Sequence, residues 1–339
     1  MSQILVLGFG AASTAYISLL ERKNKKINVV GTPYDTKKIK QINKLKIKKN
    51  YLSGSKFSKN INFFSNLGQL SNNRFLFIII GVNSNGINWA TKQLNLLKFK
   101  APILLLTKGL MKNKNKIQTI SDHLKLETSF KNITCATGPC LATELAKKNH
   151  TRTLLACSNI KSAYFLKRFL ENDYYHPEIT SDIRGAEICA AIKNIYATII
   201  GTAHSISDEK LIFSKQKNLY YNSSSALFEQ SLREMSLIVK KLKGRSETVM
   251  GLAGSADLYV SVLGGRNSKM GYYLGQGLTY KKIISVYMKN ITVEGAELIF
   301  ELGYLLIKTV GFKKLPLAKL LLNTIVKNKK LTIDWKKIH

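Results

Sequence analysis

The sequence predicts an α/β chain in two parts: a doubly wound parallel sheet first, then a mostly α-helical domain. Three observations carry this. An apolar run, Ile4–Leu7, leads straight into Gly8-Phe9-Gly10. Further apolar runs alternate with helical segments as far as residue 182. Beyond Asp182, long helical periodicities replace the strand signals. Strand–helix alternation argues for a parallel, doubly wound sheet.

Taken in order, Ile4–Leu7 is the first strand, and Ala11–Arg22 is a helix whose small residues face inward. Asn28–Val30 is the next strand. Phe75–Val82 and Ile103–Leu106 read as buried parallel strands, and Leu154–Cys157 as a later one. After Asp182, Gly185–Ser205, Ser223–Leu242 and Ile283–Leu306 read as helices, the last interrupted near Thr292–Gly295. Ser181 or Asp182 can cap the first of these. The expected domains are therefore 1–182 and 183–339, without an internal repeat or a low-complexity linker.

With 339 residues, 45% of them hydrophobic, the chain can form one large domain or two ordinary ones. No apolar run approaches the roughly 18 to 20 residues of a membrane span, so none is expected. Met1-Ser2-Gln3 enters a strand directly, without the basic and apolar regions of a secretory leader. Cys135, Cys140, Cys157 and Cys189 show no CxxC or Cys/His spacing, which predicts no metal site and a reduced, cytoplasmic protein.

The formal charge of +33 invites a nucleic-acid reading. However, the lysines are spread along the chain and keep company with Asn and Ile, as an AT-rich coding sequence would produce. No aromatic-interleaved basic motif, helix-turn-helix or zinc-finger spacing appears. We expect no specific nucleic-acid partner, and attraction to small anionic substrates. The dense run Lys37–Lys49 is expected to form a solvated face and loop.

Gly8-Phe9-Gly10-Ala11-Ala12-Ser13 is a GxGxxS variant of the dinucleotide fingerprint. The first glycine permits a tight turn, the second lets the backbone approach a pyrophosphate, and the third normally lets helix and strand pack closely. Ser13 fills that third place imperfectly. The helix that follows offers free N–H groups to phosphate. The N-terminal part is therefore expected to be a Rossmann-type domain holding NAD or NADP. At the end of the second strand an acidic residue would favour NAD and a basic one NADP. Val30-Gly31-Thr32-Pro33 carries neither, so the preference stays open, with Asp35 and Lys37 a few residues on.

Four downstream segments carry polar residues in specific surroundings. They are Thr107-Lys108-Gly109, Gly138–Ala142, Glu187–Asn194, and Gly251–Leu258 continuing to Gly264-Gly265-Arg266-Asn267. With the glycine turn and Val293-Glu294-Gly295, they resemble the NAD(P)-dependent glycerol-3-phosphate dehydrogenases over about residues 3–325. Lys193 sits among Ile188, Cys189, Ala190, Ala191 and Ile192. A lysine in a partly dry cleft loses solvation, which disfavours its charged form and lowers its pKa toward a working range.

The resemblance implies Lys193 as the general acid/base, with Asp257 contacting the substrate hydroxyls and orienting it. It implies that Arg266 and Asn267 clamp the substrate phosphate, with Lys108, Gly138, Cys140 and Asn194 also at the substrate. It places Gly8, Gly10, Ala11, Ala12, Ser13, Thr32, Lys108, Ala142, Arg266 and Glu294 at the cofactor. Cys140 stands where bacterial members usually have Ser; it stays small but donates hydrogen bonds weakly. The reaction so implied is reversible reduction of glycerone phosphate to sn-glycerol 3-phosphate, a product that feeds phospholipid synthesis, and the assembly implied is a homodimer.

Some positions depart from the family pattern. Ser13 replaces the third glycine, and Ala12 replaces the aromatic before it. Phe228-Glu229-Gln230 lies where the family carries an Arg, and His204–Tyr221 lacks a glycine-rich character. Two alternatives follow: the same fold acting on another phosphorylated or acidic hydroxy compound, and a non-catalytic dinucleotide-binding protein.

Overall fold

A computed structural model describes residues 3–45, 50–209 and 221–338. The strands are β1 (Gln3–Leu7), β2 (Lys26–Val30), β3 (Ile61–Phe64), β4 (Ile78–Ile80), β5 (Ile103–Leu105), β6 (Leu110–Asn113), β7 (Lys116–Thr119), β8 (Ile133–Thr137), β9 (Thr151–Ala156) and β10 (Tyr175–Thr180). The chain divides into two compact units. One holds residues 1–108 and 119–183, the other 109–118 and 184–339.

The first unit is an eight-stranded sheet in the order β10-β9-β8-β5-β4-β1-β2-β3. Its strands are parallel neighbours except for β8 and β9, which run antiparallel. Leu154–Cys157 was expected to be one more parallel strand. It belongs to β9, which reverses the sheet direction and carries β10 parallel to itself. The helices are α1 (Ala11–Glu21), α2 (Thr36–Leu45), α3 (Ile87–Asn95), α4 (Ile120–Glu127), α5 (Ala142–Ala146) and α6 (Ile160–Leu170). Ile4, Val6, Ile27, Val29, Ile79 and Leu104 sit in one buried cluster with Ile17 and Leu20 of α1. Lysines of α2 lie along its exposed face at Lys37, Lys40 and Lys44, as a solvated face requires, and 46–49 fall outside the described residues.

The second unit is helical apart from the β6–β7 pair, which the sequence reading leaves in the first domain. Its helices are α7 (Ile183–Glu209), α8 (Tyr221–Lys241), α9 (Asp257–Leu263), α10 (Arg266–Gly275), α11 (Tyr280–Lys282), α12 (Glu294–Val310) and α13 (Pro316–Val326). The segment read as one interrupted helix over 283–306 is a wide π-type turn at Ile283–Tyr287, a break, and then α12. Val293 precedes α12 in extended conformation, and two acidic residues, Glu294 and Glu297, occupy its first turn, which suits the positive helix end. Among the described residues no helix is long and apolar enough to cross a membrane.

Helices α7 and α10 meet backbone to backbone. A Cβ on Gly201 would come within 2.5 Å of the Ser268 carbonyl oxygen. One on Gly271 would overlap the Thr198 carbonyl oxygen, and one on Gly275 the Ser205 hydroxyl. Overpacking a close-packed core costs about 1–3 kcal/mol or more. Gly271→Ala is therefore expected to lower the thermal unfolding midpoint by several degrees. An unchanged midpoint by differential scanning fluorimetry would show that this contact can relax.

Candidate active site

In the first unit, the chain leaves β1 through Gly8 at φ +95°, a left-handed conformation that suits glycine. A side chain there would also come within 2.7 Å of Val82 Cγ1. Gly10 then precedes the first turn of α1 as its N-cap residue, with no side chain covering the free N–H groups. Beside this turn lies a cavity of about 540 Å³ lined by Gly8, Gly10, Thr32, Asp35, Gly81 and Asn83 among others. Asp35 accepts from the Thr32 backbone N–H at 2.9 Å and from its hydroxyl at 2.7 Å, which fixes the chain as it leaves β2. Lys38 departs from the simple solvated face: its ammonium lies 3.7 Å and 4.3 Å from the ring centroids of Tyr51 and Phe9.

Ser13 at the third fingerprint position is buried, and its hydroxyl donates to the Gly81 carbonyl at 3.2 Å. A Cβ on Gly81 would overlap that hydroxyl. The space a third glycine would leave in the helix is thus provided by a glycine just after β4. Ala11 and Ala12 are exposed at the start of α1.

A smaller cavity, about 50 Å³, is lined by Ala12, Lys108, Thr137, Gly138, Cys140 and Ala142 among others. The Lys108 ammonium donates to the Gly138 carbonyl at 3.4 Å. Gly138 is left-handed at φ +97°, and turns the chain from β8 toward α5. Below it, the buried hydroxyls of Tyr16 and Tyr175 lie 2.6 Å apart, and Thr153 donates to Tyr175 at 2.8 Å. Burial pushes the pKa of both phenols up, so they stay neutral beside Cys140.

The second unit holds Lys193 on α7, 6% exposed, against Asp257, 1% exposed. The ammonium pairs with Asp257 Oδ1 and also reaches the Asp257 carbonyl at 3.3 Å. Ser261 accepts from it at 2.8 Å and itself donates to the Asp257 carbonyl at 2.7 Å. Burial disfavours the ammonium, but a carboxylate in contact favours it. Lys193 therefore stands in a buried ion pair with Asp257, not as an isolated buried amine. Asp257 opens α9 immediately after a wide π-type turn, Leu252–Ala256, in which Gly254 is pressed against the Val249 backbone. The sequence reading missed Ser261. Its signal was available, since Ser261 follows Asp257 by four residues, one helical turn.

Asn194, next on α7, accepts from Asn267 Nδ2 at 3.1 Å, and Asn267 Oδ1 accepts from the Gly295 N–H at 2.9 Å. A Cβ on Gly295 would overlap the Asn194 carbonyl, so the Val293-Glu294-Gly295 segment needs its glycine for this approach. Asn267 Nδ2 also lies 3.5 Å from Glu294 Oε2. Arg266 opens α10 after Gly265, left-handed at φ +121°, and pairs with Glu294. That pair is half-exposed, and it engages one terminal nitrogen of the guanidinium.

The structure thus gathers Lys193, Asn194, Asp257, Arg266, Asn267 and Glu294 within the second unit. Gly8, Gly10, Ala11, Ala12, Ser13, Thr32, Lys108, Gly138, Cys140 and Ala142 lie in the first. Gln230, in the stretch where the family pattern has an Arg, is buried on α8 and donates to Glu234 at 3.5 Å. The segment His204–Tyr221 lies mostly outside the described residues.

A glycine-turned, mostly parallel sheet and a helical unit with a buried Lys–Asp pair have the parts of a dinucleotide-dependent dehydrogenase. Comparison with known families narrows this. The N-terminal model of NAD-dependent glycerol-3-phosphate dehydrogenase matches residues 3–163, and the C-terminal model of the same enzyme matches 182–334. The chain belongs to the NAD-dependent glycerol-3-phosphate dehydrogenase family.

Its relatives include the NADP(+)-dependent glycerol-3-phosphate dehydrogenase of Archaeoglobus fulgidus, 28% identical over 81% of this chain and 81% of that one. The glycerol-3-phosphate dehydrogenase [NAD(P)+] of Clostridium botulinum (strain Eklund 17B / Type B) is 27% identical over 88% and 85%. In fold, the chain matches the crystal structure of glycerol-3-phosphate dehydrogenase from Coxiella burnetii. That match has a TM-score of 0.82 and 24% identity over 99% of this chain and 97% of that one.

The Ser13–Gly81 contact gives a test of the turn. Gly81→Ala is expected to weaken NADH binding at least about tenfold, because overpacking moves the turn that borders the cavity. Isothermal titration on the substrate-free protein checks this, and wild-type affinity in the variant would show that the contact is dispensable.

Proposed function

We propose that the protein reversibly reduces glycerone phosphate to sn-glycerol 3-phosphate with NAD(P)H, and that Lys193 is its general acid/base. The observation that carries this reading is the buried Lys193 ammonium, held by Asp257 and Ser261 in the unit that also contains Arg266, Asn194 and Asn267. The first unit fits a dinucleotide: side chains at Gly8 and Gly81 would collide with the walls of its turn, and the α1 N-terminus is left uncovered. When bound, the cofactor supplies or removes a hydride at the carbinol carbon.

Lys193 Nζ donates a proton to the carbonyl oxygen as reduction proceeds, and takes it back in oxidation. Asp257 offsets the cost of burying the ammonium and aims it, while Ser261 limits its rotation. Arg266 retains its second terminal nitrogen and its Nε for a phosphate. Asn267 adds a neutral donor whose direction Asn194 and Gly295 fix. Lys108, Gly138 and Cys140 are assigned to ligand contact in the first unit, Thr32, Ala142 and Glu294 to the cofactor. Gln230 gives no support to a different substrate, because its side chain is spent inside the helical unit. Retention of Lys193, Asp257, Arg266 and Asn267 together argues against a binding-only protein.

A coupled absorbance assay with glycerone phosphate, run with NADH and with NADPH, tests the reaction. Lys193→Ala is expected to cut kcat at least about 100-fold while leaving cofactor affinity unchanged. Near-normal turnover would remove Lys193 from the chemistry.

We further infer a cytoplasmic homodimer serving phospholipid synthesis. Phe300 and Tyr304, one turn apart on α12, are 63% and 61% exposed, and the Phe312 ring lies 5.7 Å from Tyr304. Such a stripe offers apolar surface to a second copy. Sedimentation should show a dimer that Phe300→Glu weakens; a monomer at all concentrations would overturn it.

A further inference from the structure

Glu234 is a buried carboxylate that this chemistry does not use. It lies on α8 with 0% exposure, and four donors converge on it. The backbone N–H groups of Leu317 and Ala318 approach at 2.7 Å and 3.1 Å. The Tyr196 hydroxyl, from α7, donates at 3.1 Å, and Gln230 at 3.5 Å. Helix α13 begins at Pro316, which has no N–H, and lacks a side-chain cap of its own. Glu234 therefore caps α13 from another helix and ties that cap to α7.

We propose that Glu234 is a positioning residue for Lys193, setting the rotation of α7 about its own axis through Tyr196. A helix turns about 100° per residue, so Asn194 and Tyr196 lie roughly 160° apart, with Lys193 in the arc between them. Asn267 holds α7 at Asn194, and Glu234 holds it at Tyr196. Lost at either side, the helix can rotate and misdirect the ammonium. Misplacement by about 1 Å is enough to cost up to roughly 100-fold in rate.

The carboxyl also titrates where this matters. Burial pushes it from 4.5 up to about 7, against the pull of its four hydrogen bonds. The titratable group facing it is Tyr196, whose phenol is itself pushed well up by burial and by Glu234. On α13 its neighbours are backbone N–H groups, and on α8 the Gln230 amide. Among the described residues of α12 and the turn Ser246–Met250, also packed on α8, no charge shifts it. On α8 the side chain in contact with the carboxylate is the neutral Gln230 amide. Above about pH 7 the carboxylate accepts all four bonds. As pH falls through that value it takes up a proton, and one oxygen must turn donor. The backbone N–H groups cannot accept, so the change falls on Tyr196 or Gln230.

The inference rests on the proposed reaction, and the test separates the two. Tyr196→Phe keeps the ring and removes the link. We expect kcat at about pH 8 to fall about three- to tenfold with KM within about twofold, and the step near pH 7 to vanish from the kcat profile. Hydrogen–deuterium exchange around Lys193 on α7 should quicken. A folded Tyr196→Phe with wild-type kcat, pH profile and exchange overturns the proposal. If that variant does not fold, Gln230→Arg decides: the step should move at least about one pH unit lower with activity kept, and an unmoved step overturns it. Wild-type protein inactive on glycerone phosphate would overturn the proposed reaction instead, and the exchange rates in α7 would then decide this point alone.

Discussion

Burying an ammonium costs several kcal/mol unless a counter-charge and further acceptors meet it. Lys193 meets that cost with Asp257 and Ser261, and much of the second unit is arranged to keep those groups within reach. The π-type turn before α9 brings Asp257 in as the first residue of a helix, where a carboxylate also faces the positive helix end. Gly254 lets that turn press against the Val249 backbone. Ser261 then follows one turn later on the same side. The pair is a local consequence of how α9 starts, and it recruits α7 as the element that must align with it.

The close approach of α7 to α10 depends on backbone contact. Gly201, Gly271 and Gly275 let α7 and α10 approach at van der Waals distance, so Asn267 can reach Asn194. Gly295 brings the first turn of α12 onto the same amide. A polar chain of this kind has little slack: Asn267 spends its oxygen on the Gly295 N–H and one amide hydrogen on Asn194, which fixes the direction of the other. The neutral amides thereby gain direction without charge, beside an ammonium whose field would otherwise compete for any carboxylate nearby.

The legible part of the fold was the part written in apolar runs. β4, β5 and β1 beyond Gln3 are buried on both faces and read as near-continuous Ile, Leu and Val. β10, with His176, Pro177 and Glu178, sits at the sheet edge, where polar residues are tolerated, and its sequence resembles a loop. β8 is interleaved with threonines, and the β8–β9 reversal depends on pairing that no local pattern encodes. Lys193, Asp257, Arg266 and Asn267 could be proposed from sequence because each lies in a compact motif. Gly81 could not be, since its meaning is the absence of a Cβ opposite Ser13, 68 residues away. Tyr196 and Glu234 were missed for the same reason: each is unremarkable on its own helix, and only their meeting carries information.

The two ion pairs of the second unit differ in a way that suits different tasks. Lys193 and Asp257 are nearly fully buried, so separating them would strand a charge away from water. In the proposed reaction that geometry is held through the cycle. Arg266 and Glu294 are half-exposed, and such pairs contribute about 1 kcal/mol or less. In the proposed reaction the dianionic phosphate draws the guanidinium from Glu294 at little cost, with bidentate contact making it the better partner. In a chain carrying +33, exposed cations are common, and charge alone cannot mark a site. What distinguishes the two cations here is solvent: one is fixed because water is excluded, the other exchangeable because water is present.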